Sequence, residues 1–104
     1  MILLHIISDD EEQAIEIANF LIDKDLILDA TLLEKVSIRK KINNQIESMN
    51  KTLIMGKTKA ILFDVINELL KEKYKENMLV IYSLPIVFMD WEESKELANE
   101  VAKA

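Results

Sequence analysis

The side chains able to do chemistry are few and scattered. Imidazole is the one side chain that ordinarily titrates near neutrality, and His5 is the sole histidine. It lies in Ile2-Leu3-Leu4-His5-Ile6-Ile7, with Leu3 and Ile7 on its own face. An acid–base role needs convergent partners, and none is visible, so a packed, hydrogen-bonded histidine is the expectation. Asp29 interrupts Leu26-Ile27-Leu28 and Ala30. A carboxylate in such apolar company is costly unless it is paired, exposed or bound to a cation. Oxygen ligands alone would suit Mg²⁺, Ca²⁺ or Mn²⁺ better than Cu⁺, which prefers thiolate and thioether. Met49, Met55, Met78 and Met89 show no motif spacing and read as core filling. The pairs Asp9-Asp10 and Glu11-Glu12 could recruit a cation, but acids opening a helix are already stabilised by its dipole. Met55-Gly56-Lys57-Thr58 imitates the end of a phosphate-binding loop. The full motif needs a glycine five residues before Gly56, where Lys51 stands, so a strand-end glycine followed by a cap at Thr58 is expected. Trp91 follows the capping residue Asp90; an interface or lid contact and packing of the last helix both fit it. With no nucleophile–base pair, metal triad or phosphate loop, the chain does not read as an enzyme.

Composition narrows the class. A chain of 104 residues, half of them hydrophobic and 31% charged, is expected to form one domain, 1–104. The absence of cysteine excludes disulfides, zinc ribbons, thiol redox chemistry and cysteine nucleophiles. A formal charge of −6 opposes nucleic-acid binding; basic residues are mostly interleaved with acids, and the one dense basic run is Arg39-Lys40-Lys41. No apolar run approaches the roughly 20 residues of a membrane helix. Ile2 to Ile7 lacks the basic start and cleavage site of a signal peptide, so a cytoplasmic location is expected.

The elements that must position these residues follow from periodicity. Ile2 to Ile7 reads as a strand buried on both faces. Ser8 and Glu11 have capping-box spacing, and Ala14, Ile15, Ile17, Ala18, Leu21 and Ile22 then predict a helix from about 11 to 24. Over 27–46, Leu32, Val36, Ile38 and Ile42 share one parity, giving a strand with one wet face that is long unless it bends midway. Asn43-Asn44 is a turn pair, and Ile46 to Met55 returns as the second arm of a hairpin. Ile61, Leu62, Val65, Ile66, Leu69 and Leu70 predict a second helix, capped by Thr58. Met78 to Ile86 is a further strand, and Asp90 with Glu93 opens a last helix carrying Leu97, Ala98 and Val101. The order β-α-β-β-α-β-α is an α+β, ferredoxin-like sandwich with an extra C-terminal helix. Right-handed crossovers put strands one and three in the middle of the sheet. Helices cover one face; the other must be wet or covered by something else.

Asp10-Glu11-Glu12-Gln13-Ala14, then Ile17-Ala18, Leu21 and Leu26, together with Lys57-Thr58 and Leu84-Pro85-Ile86, resemble the CutA family of divalent-cation-tolerance proteins over roughly residues 3 to 88. The resemblance implies a non-enzymatic homotrimer, built through the hairpin of about 31–55, with a role in divalent metal ion tolerance. A hairpin of that length has edges that invite pairing with another chain, which independently favours assembly. The family's Cys, His and Glu cluster does not carry over. Its cysteine position falls on Asp29, its histidine position on Tyr74 and its glutamate position on Val80; aligning Tyr74 with the family's motif tyrosine instead puts Glu72 at the histidine. The candidates are therefore Asp29 for a divalent metal ion, and Tyr74, Glu72 and His5 as other cleft residues. The alternative reading is a PII-like small-molecule sensor with ligands in the clefts between subunits, although those proteins use glycine-rich or long ligand loops and this chain has one glycine.

Overall fold

A computed structural model describes residues 1–75 and 79–102. Its elements are β1 (Ile2–Ser8), α1 (Glu11–Asp23), β2 (Ala30–Ile42), β3 (Gln45–Thr58), a 3₁₀ turn (Ala60–Leu62), α2 (Phe63–Lys73), β4 (Val80–Pro85) and α3 (Trp91–Glu100). The strands form one antiparallel sheet in the order β2-β3-β1-β4, with β3 and β1 central, as the crossover rule requires.

The core is a layer between the sheet and the helices. Leu4 and Ile6 of β1 and Ile54 of β3 meet Ala14, Ile17, Ala18 and Leu21 of α1, Ile66 and Leu70 of α2 and Leu97 of α3. Each helix buries a narrower stripe than its apolar spacing suggests. Ile15, Ile22, Ile61 and Val65 are left exposed because they lie beside the buried stripes.

Five local expectations are corrected. β1 is buried on one face only: Ile2, Leu4, Ile6 and Ser8 are buried, whereas Leu3, His5 and Ile7 are half-buried because no helix covers their side. The cap of α1 is Asp10, whose carboxylate accepts from the Gln13 amide at 2.8 Å. Gln13 reaches back to accept from the Asp9 amide at 3.1 Å and from the Ser8 hydroxyl at 2.6 Å, so the reciprocal capping falls two residues later than Ser8 and Glu11. Thr58 caps nothing: it is the last residue of β3, and its hydroxyl donates to the Leu26 carbonyl at 2.6 Å. The strand expected over Met78–Ile86 runs over Val80–Pro85, and Met78 lies outside the described residues.

A fifth correction concerns the hairpin. Asn43 and Asn44 turn it with φ of 51° and 66°, the left-handed pair of a type I′ turn. A β-bulge interrupts the ladder between Leu33 and Val36, with Lys35 at φ 55°. Leu32 stands opposite the buried Ile54, but Val36 stands opposite Lys51 and Ile38 opposite Met49. Ile54 and Lys51 have opposite parity on β3, so the extra residue transfers the apolar series from the helix-covered face to the outer face. The parity shared by Leu32, Val36, Ile38 and Ile42 is therefore not a shared face.

Candidate functional site

His5 sits at the middle of the outer sheet face, with Met55 of β3 opposite it on one side and Tyr82 of β4 on the other. Its Nδ1 lies 3.2 Å from the Tyr82 hydroxyl, and the rings are 5.1 Å apart and tilted by 52°. Nε2 is buried without a hydrogen-bond partner among the described residues. A phenol and a thioether neighbour supply neither a nucleophile nor a carboxylate to orient the ring.

Asp29 lies just before β2, half exposed, with Oδ2 3.1 Å from Nζ of Lys57. The same ammonium pairs with Glu93 of α3. That pairing explains an acid in an apolar run: Asp29, Lys57 and Glu93 tie the start of β2, the end of β3 and the last helix together. The two carboxylates, Glu93 first, hold the Lys57 ammonium above its ordinary range against the opposing effect of burial. Gly56 beside it leaves room for the chain. A Cβ there would stand 3.1 Å from Ile27 Cδ1 and 3.2 Å from the Asp29 carbonyl oxygen. Gly56, Lys57 and Thr58 thus all have packing or pairing partners of their own, and none cradles an anion.

Tyr74 follows α2 and donates to Glu16 of α1 at 2.5 Å. Burial, then this hydrogen bond, pushes its phenol above the ordinary range. Glu72 is exposed, 4.0 Å from Lys75. The structure does not gather these candidates: Tyr74 and Glu72 belong to the helix layer, His5 to the opposite face of the sheet, and Asp29 to a strand end.

The helix-start acids also have local partners. Asp10 caps α1, and Asp9 pairs with Lys51 at 2.6 Å. Glu11 lies against Glu34 of the bulge, and that contact raises its carboxyl above the ordinary value. Trp91 is 85% exposed and Phe88 91%; α3 packs instead through Leu97 and Val101, so the packing role offered for Trp91 does not hold within the chain. Among the described residues no group of three or more His, Asp or Glu is arranged to hold a metal ion. One carboxylate already paired with an ammonium does not fit the metal site that the resemblance implies. What sequence reading missed is the partnership itself: Lys57 with Asp29 and Glu93, and Tyr82 with His5, join residues far apart in the chain, with no local signal.

At the level of sequence, no family model and no curated protein matches. Solved structures do. CutA1 from Oryza sativa superposes with a TM-score of 0.91 at 16% identity, over 99% of this chain and 94% of that one. CutA1 from Pyrococcus horikoshii gives 0.87 at 23% identity, over 99% and 100%. The periplasmic divalent cation tolerance protein CutA from Archaeoglobus fulgidus gives 0.86 at 20%, over 98% and 100%. The chain has the fold of the CutA1 divalent cation tolerance proteins along its whole length: an α+β, ferredoxin-like βαββαβ sandwich with a long β2–β3 hairpin and an extra C-terminal helix.

Proposed function

We propose that residues 1–104 work as one non-enzymatic, CutA-like unit that assembles as a homotrimer through the hairpin and serves divalent metal ion tolerance. The observation that carries the assembly is the one-sided sheet. Leu33, Val80, Tyr82 and Leu84 on the face without helices are 43–50% exposed, in line with Leu3, Ile7 and Met55. An apolar face of that extent marks an interaction surface. The hairpin, two strands of 13 and 14 residues, also leaves strand edges that a cyclic assembly closes. The role in metal tolerance rests on likeness to proteins named for it. The non-enzymatic reading is supported by the titratable candidates, most of which are committed to ion pairs, caps or hydrogen bonds.

Light scattering tests the assembly: three times the 12.0 kDa chain mass is expected, and a monomer overturns it. Calorimetric titration with Cu²⁺, Zn²⁺ and Mn²⁺ tests the metal role, and silence towards all of them overturns it. Asp29 serves as an oxygen ligand in this reading only by giving up Lys57. Asp29→Ala then changes the affinity, and an unchanged affinity removes Asp29 from the site. His5, Tyr74 and Glu72 enter only as residues that a neighbouring subunit brings to a cleft. Cytoplasmic residence belongs to the same reading; among the described residues no helix is long and apolar enough to cross a membrane. Cell fractionation tests it, a periplasmic signal being the contrary outcome.

A further inference from the structure

Assembly through the outer sheet face would cover a titratable group whose hydrogen bonding is incomplete within its own chain. His5 is that group, half-buried at the middle of the face. Its Nδ1 meets the Tyr82 hydroxyl at 3.2 Å, whereas Nε2 is shielded from water and has no hydrogen-bond partner among the described residues. A neutral imidazole has one N–H and one bare nitrogen, so it can satisfy Tyr82 and leave Nε2 as an uncharged orphan. An imidazolium carries N–H at both nitrogens. A charged donor is then fixed at Nε2 with no acceptor, which costs more than a neutral orphan does.

The surroundings offer that cation no compensation. Met55 and Tyr82 stand in register with His5 on the adjoining strands. Leu3 and Ile7 flank it on β1, Leu53 and Lys57 on β3, and Val80 and Leu84 on β4, all on its face by strand alternation. The titratable neighbours are thus the Tyr82 phenol and the Lys57 ammonium, the latter already held by Asp29 and Glu93. No carboxylate stands among these positions. In the single chain, water still reaches the half-exposed Tyr82, Val80 and Leu84. A subunit seated on the face removes it, and burial without a counter-charge disfavours an imidazolium.

We propose that His5 makes the assembly pH-sensitive: the trimer holds its imidazole neutral, and acidification below about pH 6.5, where an ordinary imidazole charges, drives the subunits apart. The inference rests on the proposed trimer and adds a regulation to it. Its sign follows from linkage. The released chain binds more protons than the assembled one, so assembly is favoured above that range and lost below it. One proton per released chain raises the dissociation constant about tenfold per subunit between pH 7.5 and 5.5, to a limit of about 10³-fold for three.

Light scattering over a dilution series tests it, in the urea concentration that half-dissociates the parent at pH 7.5. On moving to pH 5.5 the dissociation constant is expected to rise at least tenfold more for the parent than for His5→Gln, whose amide takes up no proton. Carboxylates elsewhere titrate alike in both chains and cancel. Equal changes in the two overturn the proposal. So does a parent trimer that tightens on acidification relative to His5→Gln, which would mean that a neighbouring subunit brings a carboxylate to Nε2. The chain has one histidine, so its ring-proton magnetic resonance decides the case even where His5→Gln fails to fold. That resonance is expected to move with pH at lower values in the trimer than in the urea-unfolded chain, and coincident curves overturn the proposal. A parent that is monomeric at every pH without urea overturns the trimer and the proposal with it. A trimer with no His5-dependent response overturns the pH sensitivity alone.

Discussion

The two faces of the same four strands are both largely apolar, yet they are buried to very different extents. On the inner face Leu4, Ile6 and Ile54 are at most 1% exposed, packed beneath α1 and α2. On the outer face Leu33, Val80, Tyr82 and Leu84 remain 43–50% exposed, and the His5–Tyr82 pair lies among them. Burial of a large aliphatic side chain is worth roughly 1.5–3 kcal/mol, so the inner face contributes that within one chain, whereas the half-exposed outer residues contribute only part of it unless the proposed assembly covers them. Similar residue types therefore stabilise the fold on one side and offer an interaction surface on the other.

The comparison can be broken at several points. Ile54→Ala empties a fully buried inner position and is expected to cost about 2–5 kcal/mol in denaturant unfolding; a loss below about 1 kcal/mol would mean that the core collapses around the gap. Gly56→Ala, on the same face, forces a methyl against Ile27 and the Asp29 carbonyl and is expected to cost about 1–3 kcal/mol; a neutral result would show that β2 gives way freely. Leu33→Lys on the outer face is expected to shift the unfolding of a dissociated chain by no more than about 0.5 kcal/mol while lowering the molar mass of an assembled one; a retained trimer would take Leu33 out of the interface.

The smallest effect concerns the helix layer and pH. Folding raises the pKa of Tyr74, through burial and Glu16, and that of Lys57, through Glu93 and Asp29. A group whose folded pKa is raised contributes stability below its unfolded value and loses it as pH rises through the folded one. Both contributions are thus present at neutral pH and fade above about pH 10. Thermal melts between about pH 9 and 11 are expected to fall more steeply for the parent than for Tyr74→Phe, which has no phenol to ionise. Equal slopes would remove Tyr74 from the alkaline loss.

Much of this architecture was legible because it depends on local chemistry. Asn43-Asn44 tolerates positive φ and turns the hairpin; Asp90 caps α3; the apolar spacing of Ala14, Ile17, Ala18 and Leu21 picks out the buried stripe of α1. The candidate site was much less legible. Asp29 stood out as an acid in an apolar run, but Lys57, which pairs with it, and Glu93, which shares that ammonium, are 28 and 64 residues away along the chain. The bulge was visible only as a strand too long to stay straight, and its consequence, the transfer of Ile38 and Lys40 to the outer face, follows from one extra residue in β2.

By itself, then, the sequence determined the element order, the hairpin turn, the inner core and the absence of thiol chemistry, because periodicity, capping and residue type act over a few positions. Only the tertiary structure decided which face each half of the hairpin presents, which cation answers Asp29, and that His5 meets Tyr82 rather than a carboxylate. Those outcomes depend on strand register and long-range contact, and a shift of one residue in register reverses every side chain that follows.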